Sequence, residues 1–134
     1  MASEENTIQA AGIKLCRQHP KVKRIYRTQA GQVKVRGGFM NLCPAGTPDT
    51  TGFMVDGRII GIEYKTPAAF KTKDHGAKPE QLEHLNEIKQ AGGVAGIASN
   101  MEQVRQILAG VYIGLEGPAG TDDQLSLIAN DIGV

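Results

Sequence analysis

Residues 53–64 constrain the fold more than any other stretch of the chain. Asp56-Gly57 is its strongest short hairpin signal, with apolar residues on both sides. Two antiparallel strands, 53–55 and 58–64, are expected there, and a lone hairpin is marginal in water. Cover must come from nearby, and the downstream sequence offers it. Pro79 opens a helix that turns Leu82, Leu85 and Ile88 inward, and Gly92-Gly93 stops it. Residues 94–98 read as a short apolar strand. Ser99 and Glu102 then have capping-box spacing for a helix running to Leu108, with Val104 and Ile107 inward.

Upstream, Ser3 can cap a first helix, with Glu4 and Glu5 favoured in its first turn by the helix dipole. Ile8, Gly12, Leu15 and Cys16 recur at helical spacing, and Glu5 projects from that same side. His19-Pro20 ends the helix. Segments 22–28 and 32–35 are expected to pair as a hairpin around Ala30-Gly31. The Gly- and Pro-rich stretch 36–48 reads as a long loop, and 66–78 as a second, polar and lysine-rich one. Thr121 and Gln124 form another capping box, for a short helix packed on the body or on a second subunit. The order helix, four strands, helix, strand, helix predicts an α/β fold, a small mixed sheet flanked by helices. One domain is expected over 1–134, with its core at about 4–110 and a C-terminal extension at 111–134.

Composition narrows the class. With 134 residues, 40% of them hydrophobic, the chain can bury one ordinary core. No apolar run approaches the ~18 residues of a membrane span, so no membrane partner is expected. The acidic, polar start differs from a secretory leader, and a cytoplasmic setting is expected. Cys16 and Cys43 lack ligand-like spacing and read as buried or idle thiols. Net charge is +1, but residues 1–40 carry eight Lys/Arg against Glu4 and Glu5. That split suits a local phosphate-binding surface, or simply a solvated basic helix and hairpin. Aromatic content of 4% argues against single-strand binding through stacked bases.

Three elements carry the chemistry. Gly46-Thr47-Pro48-Asp49 puts an acid at the mouth of the 53–64 hairpin. Ile62-Glu63-Tyr64-Lys65 ends its other strand, where alternation sets Glu63 and Lys65 on the face opposite Ile60, Ile62 and Tyr64. The apolar face accounts for the core, which leaves the acid and the base without a packing reason. Gln81 stands on the first turn of the next helix. Two carboxylates, Asp49 and Glu63, can hold a hard cation such as Mg²⁺, which polarises a phosphate and acidifies a bound water. The Lys65 ammonium can orient that water or offset charge building on the phosphate. Singly, these residues have blander uses: an E-x-K triplet is usually an exposed charged face, and Pro-Asp usually a turn. Geometry adds a condition. A strict two-residue turn at Asp56-Gly57 pairs Asp49 with Tyr64, on the wrong face for Glu63. A one-residue bulge, or a bend leaving Asp49 just before the strand, is required.

The joint pattern, Pro48-Asp49 followed by Glu63-Tyr64-Lys65, resembles the PD-(D/E)XK nucleases. More closely, the chain is similar to the virus-type replication-repair nuclease domain, VRR-NUC. Glu5 in the first helix, Arg27 with Gly31, Gly46 to Asp49, Glu63 to Lys65 and Gln81 follow that family's order, over about residues 4–110. The resemblance implies a restriction-endonuclease-like αβββαβ core, with Mg²⁺, or Mn²⁺ as substitute, at Asp49 and Glu63. It also implies that the Tyr64 carbonyl joins the metal and that Glu5 contributes directly or through water, Glu4 being the alternative. Small stand-alone members are similar to four-way (Holliday) junction resolvases, tend to be dimers and are often phage-encoded. The expected function is a metal-dependent, structure-selective DNA endonuclease acting on branched or junction DNA in repair, as a homodimer. A nicking or flap-cutting repair nuclease, or a non-catalytic DNA-binding module with the same fold, are the competing readings. His75 and His84 read as surface histidines, and Lys71, Lys73 and Lys78 as phosphate contacts or a solvated loop.

Overall fold

The computed structural model describes residues 3–28, 32–41 and 43–115. Helix α1 (Glu4–Gln18) begins where the Ser3 hydroxyl accepts the Asn6 amide at 3.1 Å, and it ends at His19, ahead of Pro20. Strands β1 (Val22–Arg27), β2 (Gln32–Val35), β3 (Gly38–Asn41), β4 (Thr50–Met54) and β5 (Ile59–Tyr64) follow. After them come a short helix α2 (Pro67–Phe70), helix α3 (Pro79–Gln90), strand β6 (Val94–Ala98) and helix α4 (Met101–Leu108). The main sheet has the order β1-β4-β5-β6, antiparallel throughout except that β6 runs parallel to β5. A parallel neighbour needs a crossover, and α3 supplies it. The expected small mixed sheet flanked by helices is present.

Strand pairing departs from expectation at β1. It joins β4, from Val22↔Met54 to Arg27↔Thr50, rather than β2. Ile25, the one fully buried side chain of β1, explains the choice, because it reaches the core shared by Met54 and α1. Ala30-Gly31, the expected turn, lies outside the described residues. Strand β2 instead pairs with β3 around Arg36-Gly37, within the stretch expected to be loop. Segment 66–78 likewise holds α2 and a 3₁₀ turn at Lys73–Gly76. Helix α4 is capped by Asn100, which accepts the Gln103 amide at 2.9 Å. The expected box at Ser99 is thus displaced by one residue, and Ser99 donates its amide and hydroxyl to the Gln103 side-chain oxygen instead.

Both faces of the main sheet are covered. Ile25, Met54, Ile60, Ile62, Tyr64, Val94 and Ala98 meet α1 and α4 through Ile13, Cys16, Val104, Ile107 and Leu108. On the other face Ala95 and Ile97 meet Leu85 and Ile88 of α3. Glu63 belongs to this second face, so the idea that Ile60, Ile62 and Tyr64 alone account for the core is too narrow. The chain also stays packed beyond 110. The Ile97 amide donates to the Ile113 carbonyl at 2.8 Å, the Tyr112 hydroxyl donates to the Gly93 carbonyl at 2.9 Å, and Leu115 is buried. Among the described residues, no helix is long and apolar enough to cross a membrane.

Candidate active site

The turn between β4 and β5 decides where the acids go. Its loop holds three residues, Val55, Asp56 and Gly57: the Met54 amide donates to the Arg58 carbonyl at 2.8 Å, and the Gly57 amide donates to the Met54 carbonyl at 2.9 Å. Gly57 sits at φ 94°, the left-handed geometry that a three-residue hairpin needs at its last position. The ladder then runs from Phe53↔Ile59 to Thr50↔Ile62, and Asp49 falls opposite Glu63. The one-residue correction demanded by the sequence lies in the turn itself, and Asp49 also occupies a bend just before β4.

Rung type sharpens the placement. The Met54 amide donates to the Arg58 carbonyl, which makes theirs a hydrogen-bonded rung, and such rungs alternate with non-hydrogen-bonded ones along an antiparallel ladder. Asp49 and Glu63 therefore share a non-hydrogen-bonded rung, where facing side chains approach most closely. Tyr64 falls on a hydrogen-bonded rung opposite Pro48, which has no N–H to give. Its amide donates instead to Asp49 Oδ2 at 2.8 Å, and its carbonyl has no ladder donor. On the other side, the Thr28 amide donates to the Asp49 carbonyl at 2.8 Å and ties the acid to the end of β1.

Helix α3 completes the group. Gly46, at φ 89°, lies so close to the Glu80 carbonyl that a side chain there would collide with it. This contact holds the Gly46–Asp49 segment against the first turn of α3, where Gln81 stands. Gln81 has two tasks. Its Oε1 accepts the Lys78 amide at 2.8 Å, closing the helix start, and its Nε2 donates to Glu63 Oε1 at 3.1 Å. Glu63 is only 2% exposed, and its second oxygen, Oε2, is buried without a hydrogen-bond partner. Burial, and then the Asp49 carboxylate opposite, push the Glu63 carboxyl well above the ordinary carboxylate range, against a weaker downward pull from Lys65.

Lys65 continues the strand, its amide donating to the Ala98 carbonyl at 3.0 Å, and its side chain is half-buried on the Glu63 face. Ion pairs among the described residues are Arg58–Asp56 and Arg105–Glu102, so no salt bridge engages the Lys65 ammonium. Glu5 is placed differently. It is half-buried in the first turn of α1, the helix covering the sheet face opposite Glu63, and it shares no hydrogen bond with Asp49, Glu63 or Gln81. Asp49, Glu63 and Gln81 are thus brought together, Lys65 adjoins them, and Glu5 stands apart.

Several participants escaped the sequence reading. Pro48 matters as a missing donor as much as a turn former, which is visible only once the register is known. Thr28 touches Asp49 because β1 pairs with β4, and its hydroxyl meets that of Thr51 on the neighbouring strand. The thiols match expectation: Cys16 is fully buried, which pushes it up to about 11, and Cys43 is half-buried. His75 is occupied with the Phe70 carbonyl at 2.8 Å. The chain matches no protein-family model and no curated protein.

A divalent cation fits the donors present. A buried carboxylate oxygen without a partner is costly, and a cation would satisfy it. Two facing carboxylates plus a carbonyl without a ladder donor form the all-oxygen set that Mg²⁺ prefers.

Proposed function

We propose that this chain is a metal-dependent DNA endonuclease, with Asp49, Glu63 and Lys65 at its centre. The observation that carries the reading is the Asp49–Glu63 rung, in which two carboxylates are set face to face at a buried strand end with one oxygen left unpartnered. A structural role would favour an apolar or hydrogen-bonded pair there, since two close carboxylates repel in a low-dielectric site. Asp49, Glu63 and the Tyr64 carbonyl would hold Mg²⁺, or Mn²⁺ in its place, which supplies polarisation of the phosphate and acidification of the attacking water. Gln81 fixes the Glu63 carboxylate through Oε1 and leaves Oε2 available. Lys65 is the cation nearest in sequence on the same face, suited to orient water or to offset charge on the phosphate. Glu5, on the opposite face, would contribute through water around the sheet end.

The substrate reading is branched DNA, as in a junction resolvase, with a cytoplasmic setting. A homodimer suits paired cuts, because a two-fold axis supplies two identical sites. The β2–β3 hairpin supports an assembly. It exposes Phe39 at 69% and Met40 at 50%, and a two-stranded sheet is marginal without a covering partner. The test is cleavage of a labelled four-way junction beside a matched linear duplex, with Mg²⁺ and with chelator. Mg²⁺-dependent cutting of the junction in preference to the duplex is expected. Equal cutting of both removes the structure selectivity, and no cutting of either removes the nuclease.

A further inference from the structure

Across the sheet from Glu63, a cleft of about 330 Å³ opens between α1 and the end of β1. Asn6, Gln9, Ala10, Ile13 and Arg17 line it from one face of α1, and Arg27 lines it from β1. Its chemistry is one-sided: two guanidinium groups and two side-chain amides, with no acid among the lining residues. Neither arginine is neutralised, because the ion pairs of the described residues lie elsewhere, at Arg58–Asp56 and Arg105–Glu102. The wider groove between α1 and α4 differs on this point, for its Arg105 already faces Glu102 at 3.6 Å. The sequence sharpens the contrast, since no Asp or Glu occurs anywhere from Asn6 to Pro48.

Gln9 is the second, independent observation. The residue is only 6% exposed, and it lines the cleft from α1. Its packed stem fixes the amide at the cleft wall, where it can donate to a ligand. An amide donor held beside two unneutralised guanidinium forks matches a tetrahedral oxyanion better than an apolar or cationic ligand.

We propose that Arg17, Arg27, Gln9 and Asn6 form a phosphate-binding site distinct from the Asp49–Glu63 pair. Its placement connects it with the nuclease reading, on which the identity of the phosphate rests. Arg27 pairs with Thr50, the neighbour of Asp49, so the cleft and the carboxylates open at the same end of adjacent strands, on opposite faces. A DNA strand crossing that end would set one phosphate over Asp49 and Glu63 and a flanking one in the cleft. Phosphate contacts of this kind fix the register of the strand without reading its sequence.

Two probes test the proposal separately. Inorganic phosphate titrated into isotope-labelled protein should saturably shift the side-chain NMR signals of Arg17, Arg27 and Gln9. The shifts should disappear in Arg17→Gln/Arg27→Gln and in Gln9→Glu, which keeps the shape of the side chain but adds a repelling charge; circular dichroism checks that each variant folds. With linear duplex DNA in Ca²⁺, each arginine substitution should weaken binding several-fold and reduce the slope of log K against log salt by about one. Absence of saturable phosphate shifts in the wild type overturns the site. Phosphate shifts with unchanged salt slopes overturn the DNA assignment and leave free phosphate as the ligand. A wild-type protein that responds to phosphate but neither binds nor cuts DNA sinks the nuclease reading while the site stands.

Discussion

Glu63 is a carboxyl group held where its charged form is costly, and this gives it a pH signature. In the metal-free protein its folded-state pKa is raised by burial and by Asp49, so the native state keeps a proton that the unfolded chain releases. The sign follows directly: that contribution is full below the ordinary carboxylate range and is lost as pH rises toward the raised value. Thermal unfolding without metal should occur at progressively lower temperature from about pH 5 to about pH 8. Mg²⁺ should recover more of the loss at the upper end, because a cation binds the ionised form. Glu63→Gln should flatten the metal-free profile, and a variant that retains the wild-type slope would remove Glu63 as its cause. Lys65 separates function from structure in a different way. As half of a surface ion pair, its loss would cost at most ~1 kcal/mol and leave chemistry alone. Over the scissile phosphate, Lys65→Ala should slow single-turnover cleavage about a hundredfold or more with DNA binding retained, and Lys65→Arg should restore only part. A rate for Lys65→Ala within a few-fold of wild type would take the residue out of the mechanism.

At the scale of the element, the β4–β5 turn is a register device. One residue fewer in the loop would place Asp49 opposite Tyr64 and turn it away from Glu63, because a one-residue slip exchanges the faces of a strand. Gly57 allows the longer loop at φ 94°. Gly57→Ala should cost ~1–2 kcal/mol in urea denaturation, and Gly57→Asn less, since asparagine tolerates the left-handed region better. Equal costs for the two would point to lost packing rather than backbone strain. The hairpin, α3, β6 and the helix start at Ser3 were all legible in the sequence, because Asp-Gly, Pro, Gly-Gly and Ser-Glu-Glu act locally. Partners chosen over distance were not. Strand β1 joins β4 because Ile25 finds its cover there, and β3 was hidden behind Gly37-Gly38, which reads as loop until β2 is placed against it. The acid pair is legible from its motif, and the need for an extra residue from counting register across a two-residue turn, but not its place in the turn. The unpartnered Glu63 oxygen and the Tyr64 carbonyl facing Pro48 arise only from the three-dimensional register.

For the whole molecule, the Asp49–Glu63 rung sits at one end of the main sheet, and residues 1–40 carry eight of the chain's 15 Lys/Arg against two acids. On the proposed nuclease reading, that separation would let a protein of net charge +1 meet a polyanion on one side. The sequence expected a dimer from the apolar residues Leu125, Ile128 and Ala129, which lie outside the described residues, and the exposed β2–β3 hairpin adds a reason of its own. Light scattering at micromolar concentration should give twice the chain mass, and a monomeric value would count against paired cutting. The most direct measurement of the central claim is single-turnover cleavage of a labelled junction in Mg²⁺ by the wild type, Asp49→Asn and Glu63→Gln, with DNA binding measured separately in Ca²⁺. The wild type should cut only when the metal is present, while both variants bind DNA, keep their fold and lose about a hundredfold or more in rate. Cutting by either variant within a few-fold of the wild type, or by the wild type in the presence of chelator, would contradict the assignment of the Asp49–Glu63 rung as the metal-holding centre.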